Sequence, residues 1–509
     1  MVDRIALEVD GRAVEVDDDG ASLLEVLRDR LGVRGPKDGC SPQGQCGCCT
    51  VLVDGAPRVA CVTPTRRVAG RTITTIDGLA PEVRDAWSDA FVATGGSQCG
   101  FCTPGIICRL AGTRPTNAGA VERSLAAHLC RCTGWQTIVE AWEHLGQASP
   151  SRDLEVASTR ATIEGGIHQR VAPDVPLGGG GFADDIAPDG ALIAVPDGRG
   201  GWAVGETLTE ARAAAGKVQG RRTTSPPTRP LDVPRGDWAL TLRTAWVEPA
   251  YLETDASWCE PGGEPATPLA NGGAFGGKVT PAAPAAARQL ADQHGRPVRV
   301  LLSREDTVQL GPKRPPLAGG VRGDGTGELV VVRTDGIGAA IAAVAPELRV
   351  TEVDVPGPPT SAALRAAGWA EALLLLAGLR GEPTVTVTSP AGASATAELG
   401  DDVVRVSVAC GEPLDEVVLR SYCIGAVHMA LGWVTSEGLA VDDGGTVRDL
   451  TIRSFGIIRP AAMPRVEVTI EPSRATPVNG SDAVFAAVAA AAWIRQGCPQ
   501  DFPTERSIS

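Results

Sequence analysis

Aromatic side chains are scarce in this chain: two tyrosines, seven phenylalanines and ten tryptophans make up 4% of 509 residues. With few large rings, packing falls to small residues, and 62 glycines and 39 prolines indicate many turns. An excess of basic residues is also missing. Lys and Arg total 47 against 61 Asp and Glu, a net charge of −14, which argues against a protein that grips nucleic acid through its phosphates. No long apolar run is present either. The longest, near 372–379 and 483–494, are too short or too rich in alanine to cross a bilayer, so no membrane insertion is expected. The opening MVDRIALEVDGR is broken by charge at once, unlike a secretory signal or an anchor. There is no internal repeat and no glycine-rich dinucleotide fingerprint. The expectation is a soluble, cytoplasmic protein of three or four domains.

What the chain has in quantity is cysteine. There are fourteen, eight of them in two compact groups, and such grouping in a cytosolic chain points to metal rather than disulfides. Residues 39–50 read GCSPQGQCGCCT, followed by Cys61. The gaps are five residues from Cys40 to Cys46, two from Cys46 to Cys49 and eleven from Cys49 to Cys61. Plant-type [2Fe–2S] clusters use a four-residue gap, a two-residue gap and a distant fourth cysteine; here the first gap is one longer. A loop around a cluster must turn backbone N–H groups toward sulfide, and Gly39, Gly44 and Gly47 supply permissive dihedrals. Cys48 is a spare thiol. The second group comprises QCGFCTPG at 98–105 and CRCTGW at 130–135. Each pair precedes a predicted helix whose positive N-terminal end would face an anionic cluster. Cys108, inside a helix, reads as a packing residue. Structural zinc is the competing reading of both groups, and with it a zinc-binding interaction module, although zinc favours paired knuckles over one crowded loop.

The surrounding pattern places these groups. Strand-like runs at 5–9 and 13–16 flank the turn Asp10-Gly11, and a helix at 22–31 follows with Leu23, Leu24 and Leu27 on one face. A second hairpin, 50–53 and 58–61, turns at Asp54-Gly55. This succession is what a β-grasp ferredoxin would need. Helices are expected at 83–94, 104–110, 118–129 and 135–145, and 149–160 is polar and linker-like. Beyond it, strand-like runs, helices and Gly/Pro loops alternate to the end.

The strings QCGFCTPG and LCRCTGW, after the first cysteine loop, resemble the iron–sulfur domains of the xanthine dehydrogenase and aldehyde oxidase family over residues 1–147. The resemblance implies a β-grasp domain with an exposed [2Fe–2S] cluster on Cys40, Cys46, Cys49 and Cys61. It implies a four-helix domain with a second [2Fe–2S] cluster on Cys99, Cys102, Cys130 and Cys132, near a molybdopterin that Gln98 and Cys132 would touch. Further on, Phe182-Ala183-Asp184-Asp185-Ile186 resembles the opening of the family's hammerhead domain. The run NGGAFGGK at 271–278 resembles its glycine–phenylalanine loop beside molybdenum, which makes Gly272, Gly273, Phe275 and Gly276 cofactor contacts. RPVRVLLSRE at 296–305 follows as in the family, and ALRAAG at 363–368 looks like a worn copy of its arginine loop, with Arg365. Segments 425–438 and 455–464 resemble late parts of the same domain, and the order is preserved. His168 and His428 read as structural.

Departures accompany the likeness. The region after the linker is roughly half a usual molybdenum subunit. The glutamine-bearing segment before the glycine–phenylalanine loop is missing, as is the mid-domain glycine–glutamine motif. The terminal loop PVNGSDA at 477–483 holds no glutamate, where the family places the general base that a hydroxylation needs. Asp482 is its one carboxylate; Glu412 and Glu437 are the other candidates, and no catalytic residue is assigned.

The fold class expected is α+β: a β-grasp ferredoxin-like domain at 1–78, a four-helix [2Fe–2S] bundle at 79–148, a linker at 149–161, a hammerhead-like remnant at 162–245, and a shortened α/β molybdopterin-binding-like domain at 246–509. The function expected is an iron–sulfur electron-transfer component, relaying electrons between a molybdopterin site and an FAD-binding subunit, with a separate molybdenum subunit as the other partner. The alternative is a complete, compact hydroxylase acting on a purine-like heterocycle or an aldehyde.

Overall fold

In the computed structural model, residues 4–149, 151–216, 225–267, 273–278, 282–448 and 450–504 are described. Strand β1 (Arg4–Val9) alternates exposed and buried residues, putting Ile5, Leu7 and Val9 inward, as a half-buried strand requires. Asp10 and Gly11 both take positive φ and turn the chain into β2 (Arg12–Asp17). Ser22 caps α1 (Leu23–Glu25), which continues as a π-helical turn over Val26–Arg30 rather than as the regular helix expected. β3 (Thr50–Val53), β4 (Ala56–Val59) and β5 (Thr72–Thr74) complete a five-stranded sheet in the order β2-β1-β5-β3-β4, with β1 and β5 parallel.

Four helices follow: α2 (Pro81–Thr94), α3 (Thr103–Thr113), α4 (Ala118–Ser124) and α5 (Gln136–Glu143). Proline opens α2 and stands near the start of α3, where a missing N–H costs nothing. The polar stretch read as a linker is largely α6 (Leu154–Gly165), a correction with a clear cause. Asp153 caps its first turn, and the polar Arg160 and Glu164 are buried together as an ion pair.

Three four-stranded sheets build the rest. The first, β7-β6-β10-β9, combines β6 (Leu192–Pro196), β7 (Trp202–Gly205), β9 (Ala256–Cys259) and β10 (Val298–Leu301), flanked by α7 (Leu208–Ala215) and α8 (Ala282–His294). The second, β13-β12-β11-β8, uses β8 (Leu240–Arg243), β11 (Leu317–Val321), β12 (Gly327–Val332) and β13 (Leu348–Val353), accompanied by α9 (Arg304–Leu310), α10 (Ile337–Ala342) and α11 (Trp369–Arg380). The third, β14-β15-β16-β17, contains β14 (Thr384–Thr388), β15 (Ser394–Leu399), β16 (Val403–Ala409) and β17 (Arg465–Ile470). Against it lie α12 (Glu416–Thr435) and α13 (Ser481–Arg495). By length and composition α12 could cross a membrane, yet 89% of its apolar window is covered by the rest of the fold. The chain is therefore α+β, and helices α2 and α6 pack against α12.

Candidate functional site

All eight grouped cysteines are buried, between 1% and 7% exposed. In the first set, Cys40 contacts the thiols of Cys46 and Cys61, and Cys61 that of Cys49. Backbone N–H groups point at sulfur, as an anionic ligand set needs: Gln43 N and Gln45 N donate to Cys40 Sγ at 3.3 and 3.5 Å, and Cys61 N donates to Cys49 Sγ at 3.4 Å. Gly44 and Gly47 do adopt positive φ. Gly39 does not; its role is space, since a Cβ there would press on Cys46 Sγ, Phe101 and the Leu252 carbonyl. The spare thiol of Cys48 also contacts Cys46.

In the second set, Cys99 Sγ and Cys132 Sγ are 3.8 Å apart, while Cys130 contacts Cys102, Cys132 and the Thr133 hydroxyl. Cys102 caps α3, and Cys132 leads through a short turn into α5, so both helices aim positive ends at the thiols. Hydrogen bonds from neighbouring thiols favour one thiolate in each set, lowering Cys40 in the first and Cys130 in the second.

The two sets abut. The Cys46 carbonyl accepts the N–H of Leu129 at 2.9 Å, one residue before Cys130. A Cβ on Gly105 of α3 would collide with the carbonyls of Gly47 and Cys48. His128 fills the seam against Gly47, its Nε2 3.2 Å from Thr50 Oγ1. Burial pushes its imidazole down to about 3, keeping it neutral. Sequence reading missed His128, because an isolated histidine announces no partner.

The residues that the family resemblance marks as cofactor contacts converge beside the second set. Gln98 Nε2 donates to the Cys132 carbonyl at 3.0 Å and to Ser421 Oγ at 3.1 Å, while its Oε1 is buried with no partner among the described residues. Gly273 lies on Arg131 and Cys132, and Gly276 passes so close to the Ala363 carbonyl that a Cβ would collide. The Phe275 carbonyl accepts the Arg365 N–H at 3.0 Å, and the Arg365 guanidinium sits 3.8 Å from the centre of the Phe275 ring. Gly272 lies outside the described residues.

Two of the three candidate carboxylates are not free bases. Asp482 accepts from Arg365 Nε at 2.9 Å; burial raises its carboxyl and Arg365 opposes the rise. Glu437 is fully buried in a two-pronged pair with Arg131, whose Nη2 is 2.9 Å from Oε2; burial again raises the carboxyl and Arg131 opposes it. Glu412 is exposed. A carboxylate does reach the terminal loop, from an unexpected quarter. Glu164 of α6 accepts the N–H groups of Gly480 and Ser481 at 3.0 and 2.9 Å, but it is also locked to Arg160.

Space decides whether these residues suit a molybdopterin. The cavity bounded by Phe275, Arg365, Arg131, Glu437, Arg314 and Trp433 holds about 30 Å³, and the one beside Gln98, Ser421 and Tyr422 about 20 Å³. Each admits about one water, whereas bound organic cofactors occupy pockets of roughly 300–1,000 Å³. Among the described residues the contacts are assembled, but as arranged they do not fit that group.

Two further ionic networks bind the parts together. Arg28 Nη2 donates to Asp184 and Asp185 at 2.6 and 2.8 Å, Lys37 pairs with Asp185, and Arg299 pairs with Asp29 at 2.8 Å. Burial would raise Asp184, but Arg28, Arg299 and Arg34 outweigh it and hold the carboxyl at about 2. The second network joins Lys278 to Glu253 at 2.8 Å, and there burial pushes Glu253 up to about 7 against the pull of Lys278.

Comparison with known proteins bears on the same residues. A family model described as a [2Fe–2S] binding domain matches residues 75–143, which include the whole second set. A probable xanthine dehydrogenase subunit of Bacillus subtilis is 38% identical over 144 residues, 27% of this chain and 83% of that protein. Aldehyde oxidoreductase of Megalodesulfovibrio gigas is 45% identical over 129 residues, 24% of this chain but 14% of the relative's length. A solved structure of aldehyde oxidoreductase from Desulfovibrio gigas superposes with a TM-score of 0.70 at 15% identity, covering 96% of this chain and 97% of that one, a likeness of fold alone.

Proposed function

This chain belongs to the xanthine dehydrogenase and aldehyde oxidase family of molybdenum hydroxylases, whose members use [2Fe–2S] clusters and molybdopterin, and from that premise we propose that it is the family's iron–sulfur electron relay. One observation carries the reading: two buried four-thiol sets joined through the Cys46 carbonyl and the Leu129 N–H. Cys40, Cys46, Cys49 and Cys61 would hold the outer cluster, and Cys99, Cys102, Cys130 and Cys132 the inner one. When bound, such clusters supply reversible one-electron chemistry. The chain's own part is to keep water out, to turn the N–H groups of Gln43, Gln45 and Cys61 toward the thiolates, and to hold the sets at a fixed separation.

On this reading the five-stranded sheet, at 1–78, is a β-grasp ferredoxin unit, and α2–α5, at 79–148, are a four-helix bundle. Residues 162–245 and 246–509 are remnants of the hammerhead and molybdopterin domains, kept as scaffold. The small cavities and committed carboxylates support assigning molybdopterin to a separate molybdenum subunit, with an FAD-binding subunit as electron acceptor. Reduced thiols in this number suit the cytoplasm. The rival reading, a self-sufficient hydroxylase of purines or aldehydes, draws on the gathering of Gly273, Phe275, Gly276 and Arg365.

Turnover separates the two. The isolated chain with an artificial acceptor is expected not to oxidise xanthine, hypoxanthine or simple aldehydes, and a complete molybdenum subunit is expected to restore electron flow into it. Robust turnover by the chain alone would favour the rival.

A further inference from the structure

We propose that the rim around Val62 is the surface through which the outer cysteine set meets its redox partner, and that this partner presents an acidic face. The inference rests on the electron-relay reading above and names the chemistry of the acceptor.

Val62 follows the buried Cys61 directly, yet is 53% exposed, one of few large apolar side chains left in solvent among the described residues. It lies over the cysteine loop, so that a Cβ on Gly44 would touch its methyl groups at 3.0 Å. The loop's other flank is covered: Gln43 Nε2 donates to the Leu450 carbonyl at 3.0 Å, and Gln45 Oε1 accepts from Arg453 N at 3.2 Å. Val62 thus marks an open approach to the first set.

The charge of its own stretch of chain runs against the chain's net charge. Between residues 41 and 76 there are four arginines, Arg58, Arg66, Arg67 and Arg71, and a single acidic residue, Asp54. Asp54 is paired with Arg71 at 3.5 Å. Arg58, on the edge strand β4, and Arg66 and Arg67, in the turn Thr65–Val68, are exposed and have no acidic partner among the described residues. A chain of net charge −14 therefore carries three cations without an acidic partner in the segment around this apolar spot over the outer thiols. Unpaired cations flanking an apolar spot steer an oppositely charged partner and orient it on contact. The step served is simple: one electron leaves the reduced outer cluster and reduces the acceptor by one, with no bond made or broken.

Stopped-flow oxidation of the dithionite-reduced full chain tests this with two one-electron probes, an acidic b5-type cytochrome and a basic c-type cytochrome. Net charge alone favours the basic probe. The rim predicts that the acidic one reacts faster, and that added salt slows it. The double variant R66E/R67E should lower that rate by about tenfold or more, leaving visible absorption and oxidation by uncharged benzoquinone unchanged. A faster, salt-sensitive reaction with the basic cytochrome, or indifference to charge reversal, would overturn the proposal. A chain that dithionite does not bleach would instead refute the relay reading beneath it.

Discussion

Arg131 stands between two thiols of the second set, and its guanidinium is fully engaged. It grips Glu437 with two nitrogens, donates through Nε to the Pro249 carbonyl at 2.9 Å and lies 5.9 Å from the centre of the Phe455 ring. Removing one partner of a pair this buried leaves an uncompensated charge and costs about 3–5 kcal/mol, whereas replacing both with apolar groups is often neutral. Arg131→Met should therefore destabilise the chain strongly in anaerobic urea unfolding, and Arg131→Met/Glu437→Leu should recover most of the loss. Glu253 supplies a pH signature. Its folded-state value, about 7, lies above the ordinary 4.5, so the folded state holds a proton that the unfolded state releases in between. Stability from this site is full below pH 4.5, falls as pH rises to 7 and is flat above, by an amount on the order of 3 kcal/mol. Urea midpoints of wild type and the non-titrating Glu253→Gln should run together below pH 4.5 and separate as pH rises to 7, with wild type falling; parallel profiles would refute the shift. At this scale the sequence was legible where chemistry is written in spacing, as in the cysteines. It was not legible where a residue's meaning depends on a distant partner. Glu437 and Asp482 read as candidate bases because nothing local reveals that Arg131 and Arg365 hold them.

Helix α6 shows the same limit for an element. Its residues look polar and uncommitted, but Arg160 and Glu164 stand one turn apart and bury each other, and Glu164 then receives the first N–H groups of the α13 region. An acidic group at a helix N-terminus is stabilising there. Asp153→Ala should cost about 1 kcal/mol, the usual loss of an N-cap, while Glu164→Ala should cost about 3–5 kcal/mol by stranding Arg160; equal, small losses would contradict this account. By contrast, the β1–β2 hairpin and helices α2–α5 were readable, because alternation, an Asp-Gly turn and helix-starting prolines act locally. The π-helical turn at Val26–Arg30 was not, since the spacing of Leu23, Leu24 and Leu27 reads the same for an ordinary helix.

For the whole molecule, the first and second thiol sets occupy separate elements that touch through backbone, so their losses should be separable. Cys46→Ser should remove the outer cluster's magnetic signal and spare the inner, Cys130→Ser should do the reverse, and both should stop electron flow to an acceptor. Loss of both signals from either change, in a chain still folded, would contradict two independent centres. The long C-terminal region shares the fold of the solved aldehyde oxidoreductase while many of its charged groups pair with one another, and the central claim is that the chain binds iron in its N-terminal part but no molybdenum of its own. Metal analysis of the purified full chain tests this most directly. The account predicts about four irons per chain without stoichiometric molybdenum or zinc; one molybdenum per chain, or zinc in place of either cluster, would contradict it.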